Sequence, residues 1–265
     1  MSVLTMRNLR GLILDMDGVL WKENESIGDL RSIFQKIDRL GLATVLATNN
    51  ATRTVEQYQE KVQGFGIELE PWQFVNSAHA TASYLQNAYP GGGPIFIIGS
   101  EALINTLTDA GYYYSEENVL AVVAGMDRVL TYEKLRRATL LIRSGIPFIG
   151  TNPDKTFPTP IGLTPGTGAI LAALQASCDQ EPIICGKPAP EMYRVAMKRM
   201  STRPEETLVV GDRAETDIIG AQAFGCRCAL VLSGVTSEDQ AKAWAPPPDI
   251  IASDLNDVLD RLISE

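Results

Sequence analysis

The chain has 265 residues, of which 45% are hydrophobic and 21% are charged, as in globular proteins that bury a sizeable core. This length suits one large α/β unit or a core with an inserted module, and we predict two lobes. The formal net charge is -9 and no run is rich in Lys or Arg, which argues against binding to a nucleic-acid polymer or to an anionic membrane.

The predicted elements alternate between strands and helices along the chain. Apolar runs bounded by turn residues predict strands at 11–16, 42–47, 95–98, 119–124, 147–149, 182–185, 208–210, 229–232 and 249–251. Segments with helical periodicity lie between them, at 30–40, 55–65, from Glu101, and at 132–143, 191–200 and 217–224. This alternation is the βαβ rhythm of a parallel sheet.

The middle of the chain is predicted to form a separate domain. Residues 90–94 and 156–165 are rich in Gly and Pro, as turns and boundaries are. We predict a doubly wound parallel α/β sheet built from residues 1–79 and 182–265, with a smaller α/β cap domain inserted at 80–181.

The first predicted strand brings two carboxylates, Asp15 and Asp17, to its C-terminal end and then breaks at Gly18. Ligands of open parallel sheets bind at this end of the strands. Two close like charges need compensation, and Mg²⁺ supplies it while binding carboxylate, phosphate and water oxygens. An Asp-x-Asp-Gly run is also common in turns and helix caps, so the motif gains meaning only from the elements that follow.

The strand at 42–47 leads into a hydroxyl and two amides, at Thr48, Asn49 and Asn50, directly before a helical pattern. Thr48 and the N–H groups after it could hold phosphate oxygens, because helix N-termini bind anions. Thr and Asn are equally favoured as plain helix N-caps, so this element alone leaves both interpretations open.

A lysine, Lys187, stands between a predicted strand and a helix that starts with proline, in the run Gly186-Lys187-Pro188. A fixed ammonium there can neutralise a phosphate or a nucleophilic carboxylate. The alternative is a solvated surface lysine, but this tight setting favours the functional role.

The strand at 208–210 is followed by carboxylates five residues apart, Asp212 and Asp217. Asp212 at the strand end can bind a metal, and Asp217 can orient metal-bound water or a neighbouring side chain. A capping Asp212 with an exposed Asp217 is the plainer interpretation. It is disfavoured because a further parallel-strand end again carries an acid.

The number and spacing of the cysteines and the single histidine limit which other catalytic or metal sites the chain could form. Cys178, Cys185, Cys226 and Cys228 show no repeated metal-ligand spacing, and we predict buried free thiols rather than a disulfide or zinc site. His79 is the only histidine, and it is predicted to be an ordinary helix-start or surface residue. No stretch reaches the roughly 20 apolar residues that cross a bilayer, and residues 1–7 lack a signal core, so we expect a cytoplasmic protein.

Together the four elements resemble the haloacid dehalogenase (HAD) superfamily, whose four motifs they match in type, order and spacing. The matching residues are Asp15-Met16-Asp17-Gly18, Thr48-Asn49-Asn50, Lys187-Pro188, and Gly211-Asp212 with Thr216-Asp217. Residues 151–154 and 164–168 resemble the type-2 cap of the p-nitrophenylphosphatase-like branch. The resemblance covers nearly the whole chain and implies a Rossmann-like core with an inserted α/β cap.

The resemblance implies an Mg²⁺-dependent phosphatase that hydrolyses small-molecule phosphate monoesters through an aspartyl-phosphate intermediate. Asp15 would be the nucleophile, and Asp17 would protonate the leaving oxygen and later activate water. Mg²⁺ would bind the Asp15 carboxylate, the backbone carbonyl of Asp17 and Asp212, with Asp217 orienting groups around them. Carboxylate nucleophiles divide phosphate transfer into two easier displacements.

Phosphate binding is assigned by the resemblance to Thr48, Asn49 and Lys187. The expected substrate is a small phosphorylated metabolite, such as a sugar phosphate, a phosphoglycolate-like acid or a nucleoside monophosphate. Cap residues around 100–165 would set specificity. The tyrosines at 112–114 are predicted to form an edge strand or a surface cluster. Caps in this family often make dimer contacts, so a homodimer is a further expectation.

Three other functions share the fold. A haloalkanoic acid dehalogenase uses the same aspartate nucleophile but needs neither a second aspartate such as Asp17 nor a metal site. A phosphomutase would yield an isomerised sugar phosphate instead of free phosphate. A catalytically inactive binding or regulatory protein would not need to keep Asp15, Asp17, Lys187 and Asp212 together, so catalysis is favoured.

Overall fold

The computed structural model describes residues 8–159 and 161–264. The strands are β1 (Gly11–Leu14), β2 (Trp21–Lys22), β3 (Glu25–Ser26), β4 (Ala43–Thr48), β5 (Phe74–Asn76), β6 (Gly93–Ile98), β7 (Tyr112–Tyr114), β8 (Val122–Ala124), β9 (Phe148–Gly150), β10 (Thr156–Thr159), β11 (Gly162–Pro165), β12 (Ile183–Ile184), β13 (Thr207–Gly211), β14 (Arg227–Val231) and β15 (Ile250–Ala252).

The helices connect these strands. They are α1 (Leu30–Arg39), α2 (Val55–Gly64), α3 (Ser77–Ala88), α4 (Glu101–Asp109), α5 (Tyr132–Arg143), α6 (Thr167–Cys178), α7 (Pro190–Met200), α8 (Ile219–Phe224), α9 (Glu238–Ala243) and α10 (Leu255–Ser264). Short 3₁₀ turns lie at Pro71–Gln73 and Pro204–Glu206, and a π-helical turn at Ala214–Ile218 precedes α8.

The described chain divides into two compact units. The first comprises residues 8–48, Val55–Val75 and 193–264, and the second comprises Asn49–Thr54 and Asn76–Met192. The predicted boundaries at residues 80 and 181 were drawn from composition, and they stay predictions.

The first unit contains the sheet β15-β14-β13-β1-β4-β5, and the ladders from β15 to β4 are parallel. From β1 the chain adds β4 and β5 on one side, whereas β13, β14 and β15 follow one another outward on the other side. The winding direction therefore changes between β1 and β13, which is the switch point where such sheets bind ligands. The predicted doubly wound α/β fold is confirmed.

Burial explains why this sheet forms. Every residue of β1 is buried, as expected of a parallel strand covered on both faces. Leu12 and Leu14 join a large apolar core with Leu46 and Val210 from neighbouring strands. Helix α1 packs on this core with a buried stripe formed by residues at helical spacing, which are Leu30, Ile33, Phe34 and Ile37.

The second unit contains the sheet β12-β9-β8-β6-β7, with parallel ladders throughout. Helices α5 and α6 contribute Ile142 and Leu171 to the same apolar cluster as Phe96 and Phe148. Strand β7, which consists of three tyrosines, lies at the edge of this sheet as predicted. An antiparallel hairpin of β10 and β11 precedes α6.

One strand was assigned to the wrong sheet. Residues 182–185 were predicted as part of the core sheet, but Ile183 and Ile184 pair in parallel with Ile149 and Gly150 of β9. Both sheets are parallel and apolar, so a short apolar run does not specify which sheet it joins. The chain therefore leaves the second sheet after Ile184 rather than before residue 182.

His79 has the structural role predicted for it. Helix α3 begins at Ser77, and the Asn76 side chain accepts a hydrogen bond from the His79 N–H at 3.1 Å while His79 Nδ1 accepts from the Asn76 N–H at 3.3 Å. Such reciprocal bonds satisfy N–H groups at a helix start. Within residues 8–159 and 161–264, no helix is long and apolar enough to span a bilayer, and the cytoplasmic location stays a prediction.

The four cysteines are free and buried, as predicted. Burial raises the pKa of Cys185, Cys226 and Cys228 to about 12. Because only the thiolate attacks disulfide reagents, these buried thiols should react very slowly at pH 8. We expect Ellman's reagent to label these three thiols in the folded protein over hours, and all four cysteines within minutes in guanidinium chloride. Rapid labelling of any of the three in the native protein would contradict their burial.

Candidate active site

Three carboxylates meet at the switch point of the first sheet. Asp15 follows β1 and Asp212 follows β13, and these two strands are parallel neighbours. Carboxylate oxygens of Asp15, Asp212 and Asp217 all lie within 4.8 Å of one another. Asp15 is half-buried and the other two are buried. Parallel strands end at the same edge of a sheet, so the apolar runs of β1 and β13 bring these acids together.

This group of side chains fits a hard divalent cation. Its donors are all carboxylate oxygens, the ligands that Mg²⁺ prefers. Burying several negative charges side by side is costly without a compensating positive charge. The structure therefore brings together three of the predicted acids, with Asp217 near enough to be a ligand itself.

Asp212 is fixed by the loop after β14. Its Oδ2 accepts a hydrogen bond from the Val235 N–H at 2.7 Å, and its backbone carbonyl accepts from the Thr236 N–H at 3.1 Å. A Cβ on Gly18 would lie 2.4 Å from Asp212 Oδ2, and a Cβ on Gly234 would lie 1.9 Å from it. Both contacts are far too short, so a side chain at either position would displace the Asp212 carboxylate or the backbone beside it. Sequence reasoning missed Gly234 and Val235, although a Ser-Gly pair directly after a strand signals a turn.

Asp217 is positioned by the π-helical turn rather than by a regular helix. Its Oδ2 accepts from the Arg213 N–H at 3.2 Å. The Tyr193 hydroxyl lies 3.2 Å from the Thr216 carbonyl oxygen and 3.3 Å from that of Asp217, and it donates to them. A Cβ on Gly211 would lie 2.2 Å from the Asp217 Cβ, so glycine at the end of β13 allows the turn to approach. π-turns are frequent at functional sites.

The Asp17 carboxylate is not part of this group of acids. Strand β1 ends at Leu14, so the extended conformation that would keep Asp15 and Asp17 on one face does not persist. The Asp17 side chain is exposed, and its Oδ1 accepts a hydrogen bond from Trp21 Nε1 at 2.9 Å. Its carboxylate lies outside the three-carboxylate group, so only its backbone carbonyl remains for the metal role predicted from the motif.

The ring of Trp21, which donates to Asp17, is packed on both Phe65 and Lys61. Its side chain is buried, with its ring centroid 5.9 Å from that of Phe65 in a stacked arrangement. Lys61 Nζ lies 4.2 Å from the centre of the Trp21 ring, a cation–π contact. Sequence reasoning missed this role for Trp21, since a tryptophan after Asp-x-Asp-Gly resembles any other core aromatic.

The predicted phosphate-binding residues fall in both units. Thr48 is the last residue of β4 in the first unit and is buried. Asn49 and Lys187 belong to the second unit, where they contact each other. Asn49 Nδ2 donates to the Lys187 carbonyl oxygen at 2.9 Å, and Asn49 Oδ1 accepts from the Lys187 N–H at 2.8 Å.

Lys187 is not the solvated surface lysine that was weighed as its alternative. It is only 3% exposed, although lysines are rarely buried unless they are paired.

Comparison with known proteins identifies the family. The sequence model of haloacid dehalogenase-like hydrolases matches residues 12–113, and a second model, of HAD-hydrolase-like proteins, matches residues 184–258. The acid sugar phosphatase of Staphylococcus aureus strain USA300 is 33% identical over 258 residues, covering 97% of this chain and 99% of that protein. The chain belongs to the haloacid dehalogenase-like hydrolase family. The resemblance inferred from the four motifs is confirmed.

Solved structures of this family agree with the match. The p-nitrophenyl phosphatase from Archaeoglobus fulgidus superimposes with a TM-score of 0.89 at 30% identity, covering 96% of this chain and 99% of that one. The 4-nitrophenylphosphatase from Thermotoga maritima gives a TM-score of 0.91 at 29% identity, covering 96% and 98%. The likeness to HAD-like hydrolases therefore extends over both units, including the α/β unit that the sequence predicted as a cap.

Proposed function

We propose that the chain is an Mg²⁺-dependent phosphatase that hydrolyses small-molecule phosphate monoesters through an aspartyl-phosphate on Asp15. The observation that carries the proposal is the group of Asp15, Asp212 and Asp217, two of them buried, at the switch point of the first sheet. The named relatives, an acid sugar phosphatase and two nitrophenyl phosphatases, support the phosphoric monoester hydrolase class.

Mg²⁺ would be held by carboxylate oxygens of Asp15 and Asp212 and by the backbone carbonyl of Asp17, with Asp217 as a ligand or beside it. When bound, it neutralises charge on the phosphoryl oxygens. Thr48, the backbone N–H of Asn49 and the Lys187 ammonium are proposed to hold the phosphoryl group.

In the first step an Asp15 oxygen attacks phosphorus, and the bond from phosphorus to the leaving oxygen breaks. Asp17 gives its proton to that oxygen. In the second step Asp17 takes a proton from water, the water oxygen attacks phosphorus, and the bond to Asp15 breaks. The products are the alcohol and inorganic phosphate, and both carboxyl groups return to their starting state.

The proposed substrate is a small phosphorylated metabolite, and sugar phosphates come first because the Staphylococcus relative is named for them. Phosphoglycolate-like acids and nucleoside monophosphates are the other classes to test.

The test is phosphate release from p-nitrophenyl phosphate with Mg²⁺, with EDTA, and with Mg²⁺ restored. We expect turnover that EDTA abolishes and Mg²⁺ recovers, followed by selective turnover in a panel of phosphorylated metabolites. A phosphomutase would instead leave total phosphate ester unchanged. Absence of phosphate release from every compound in the presence of Mg²⁺ would overturn the proposal.

Removing the hydrogen bond from Trp21 to Asp17 should slow turnover without weakening substrate binding. In Trp21→Phe the aromatic core is kept but the Nε1–H is lost. Because the Asp17 carboxyl must be oriented for proton transfer in both steps and loses this bond, we expect kcat to fall about tenfold with KM within about twofold. Steady-state kinetics with p-nitrophenyl phosphate measures both.

Trp72→Phe is the matched control, because Trp72 belongs to the same unit but is 43% exposed. Its kcat should stay within about twofold of the unsubstituted protein. Equal losses in the two variants would show that the effect of Trp21 is one of packing.

A further inference from the structure

We infer that Asn49 is a positioning residue for Lys187, and that Ser77 and Asn152 fix Asn49 in turn. This inference rests on the proposed function, in which Lys187 binds the phosphoryl group. It adds a role for the side chain of Asn49, a residue that the resemblance assigns to phosphate binding. All of the residues involved lie in the second unit.

The Asn49 side-chain amide bonds both the N–H and the carbonyl oxygen of Lys187. Its oxygen accepts from the Lys187 N–H at 2.8 Å, and its nitrogen donates to the Lys187 carbonyl oxygen at 2.9 Å. Asn49 is 8% exposed and Lys187 is 3% exposed. One buried side chain therefore satisfies both backbone polar groups of the lysine, which fixes the point from which the ammonium extends.

The backbone of Asn49 is held in its turn by two donors. The Asn49 carbonyl oxygen accepts from Ser77 Oγ at 2.6 Å and from Asn152 Nδ2 at 2.9 Å. A carbonyl oxygen has two lone pairs, and both are occupied here. Ser77 is fully buried and Asn152 is 5% exposed, so water competes little for these bonds.

The loop before Lys187 is packed against the end of β9. The Gly186 N–H donates to the Thr151 carbonyl oxygen at 2.8 Å. A Cβ on Gly186 would lie 2.6 Å from both Asn49 Oδ1 and the Thr151 oxygen. The glycine of the Gly-Lys-Pro run is therefore required for the lysine backbone to reach the Asn49 amide.

Asn152 connects this arrangement to the neighbouring loop. Its Oδ1 accepts from the Asp154 N–H at 3.1 Å, and its Nδ2 also lies 3.2 Å from Thr167 Oγ1. The Asn-Pro-Asp run in which it occurs thus has a structural task in the second unit. Asn152 fixes Asn49, which in turn fixes Lys187.

The experiment is a double-mutant cycle between Asn49→Leu and Lys187→Met. Leucine matches asparagine in shape and adds no charge. If Asn49 acts through Lys187, we expect Asn49→Leu to lower kcat/KM by between about tenfold and 100-fold when Lys187 is present. It should cost less than about twofold in the Lys187→Met background. Similar losses in both backgrounds would show that the Asn49 side chain acts independently of Lys187 and would overturn the inference.

Hydrogen exchange provides a readout that does not depend on activity. The Lys187 amide, which donates to Asn49, should exchange at least about tenfold faster in Asn49→Leu and in Ser77→Ala than in the unsubstituted protein. If the variants show this faster exchange but the unsubstituted protein releases no phosphate, the phosphatase proposal is refuted and the positioning role stands. If exchange in the variants is unchanged while the unsubstituted protein has phosphatase activity, the positioning role is refuted and the phosphatase proposal stands.

Ser77→Ala also serves if Asn49→Leu fails to fold, because its cycle with Lys187→Met asks the same question with a smaller perturbation. Thr106→Val is the control. It removes a hydroxyl that donates to the Ala102 carbonyl oxygen at 2.9 Å within α4 of the same unit. It should leave kcat/KM and Lys187 exchange within about twofold of the unsubstituted protein.

Discussion

Asp15→Asn is expected to abolish phosphate release, with a loss of at least about 10⁴-fold in kcat. The amide has nearly the same shape as the carboxylate but cannot attack phosphorus. The fold should survive, because the Asp15 N–H that bonds the Val210 carbonyl oxygen at 2.9 Å is kept. The substitution also removes one negative charge from a group of three carboxylates, two of them buried, so the melting temperature should stay the same or rise. Phosphate release and a thermal melt measure the two effects.

A ligand test separates the nucleophile from a residue that only binds metal. Beryllium fluoride with Mg²⁺ mimics a phosphorylated aspartate, so it should raise the melting temperature of the unsubstituted protein and leave Asp15→Asn unchanged. Asp38→Asn is the matched control, since Asp38 is an exposed residue of α1 in the same unit. Its activity should stay within about twofold. Near-normal turnover in Asp15→Asn would rule out the proposed intermediate.

Gly234→Ala is expected to damage the metal site without touching an acid. The added Cβ would lie 1.9 Å from Asp212 Oδ2, so the carboxylate or the loop must move, and the bond from the Val235 N–H weakens. Changes around a metal ligand commonly cost between about tenfold and 100-fold in metal affinity. We expect the Mg²⁺ concentration for half-maximal activity to rise by that factor, and a calorimetric titration of the protein with Mg²⁺ should show the same shift.

Gly64→Ala is the control for this substitution. Gly64 ends α2 in the same unit, and a Cβ there would meet nothing within 4 Å. Alanine is the better helix former by up to about 1 kcal/mol, so stability should stay equal or rise slightly while Mg²⁺ dependence stays the same. An unchanged Mg²⁺ requirement in Gly234→Ala would mean that Asp212 does not bind the ion.

Two of the acids of the site could be predicted from sequence because each directly follows a buried apolar strand. Asp15 follows β1 and Asp212 follows β13, and the ends of parallel strands converge whatever lies between them in the chain. The residues that hold the acids in place could not be predicted in this way. Gly234 matters only because its backbone lies against Asp212, a contact between loops whose distance is not encoded in any local pattern.

The same limit explains why residues 182–185 were assigned to the wrong sheet and why the contact between Asn49 and Lys187 was not predicted. The two residues of β12 could have joined either sheet, and pairing with β9 is a tertiary choice. Asn49 follows a strand, as a phosphate ligand would, and nothing near it in the sequence shows that its amide bonds to a residue 138 positions away. Long-range partners of polar groups decide such roles, and periodicity does not report them.

The division of the chain also affects how chimeras with relatives should be built. The boundaries between the two units fall at 48/49, 54/55, 75/76 and 192/193. Each unit therefore consists of more than one segment of the chain. Grafting residues 80–181 from a relative would bring a foreign residue to position 152 while leaving Asn49 and Lys187 from the recipient. A transplant that aims to exchange substrate preference must therefore keep asparagine at 152, or it will disturb the lysine along with the specificity.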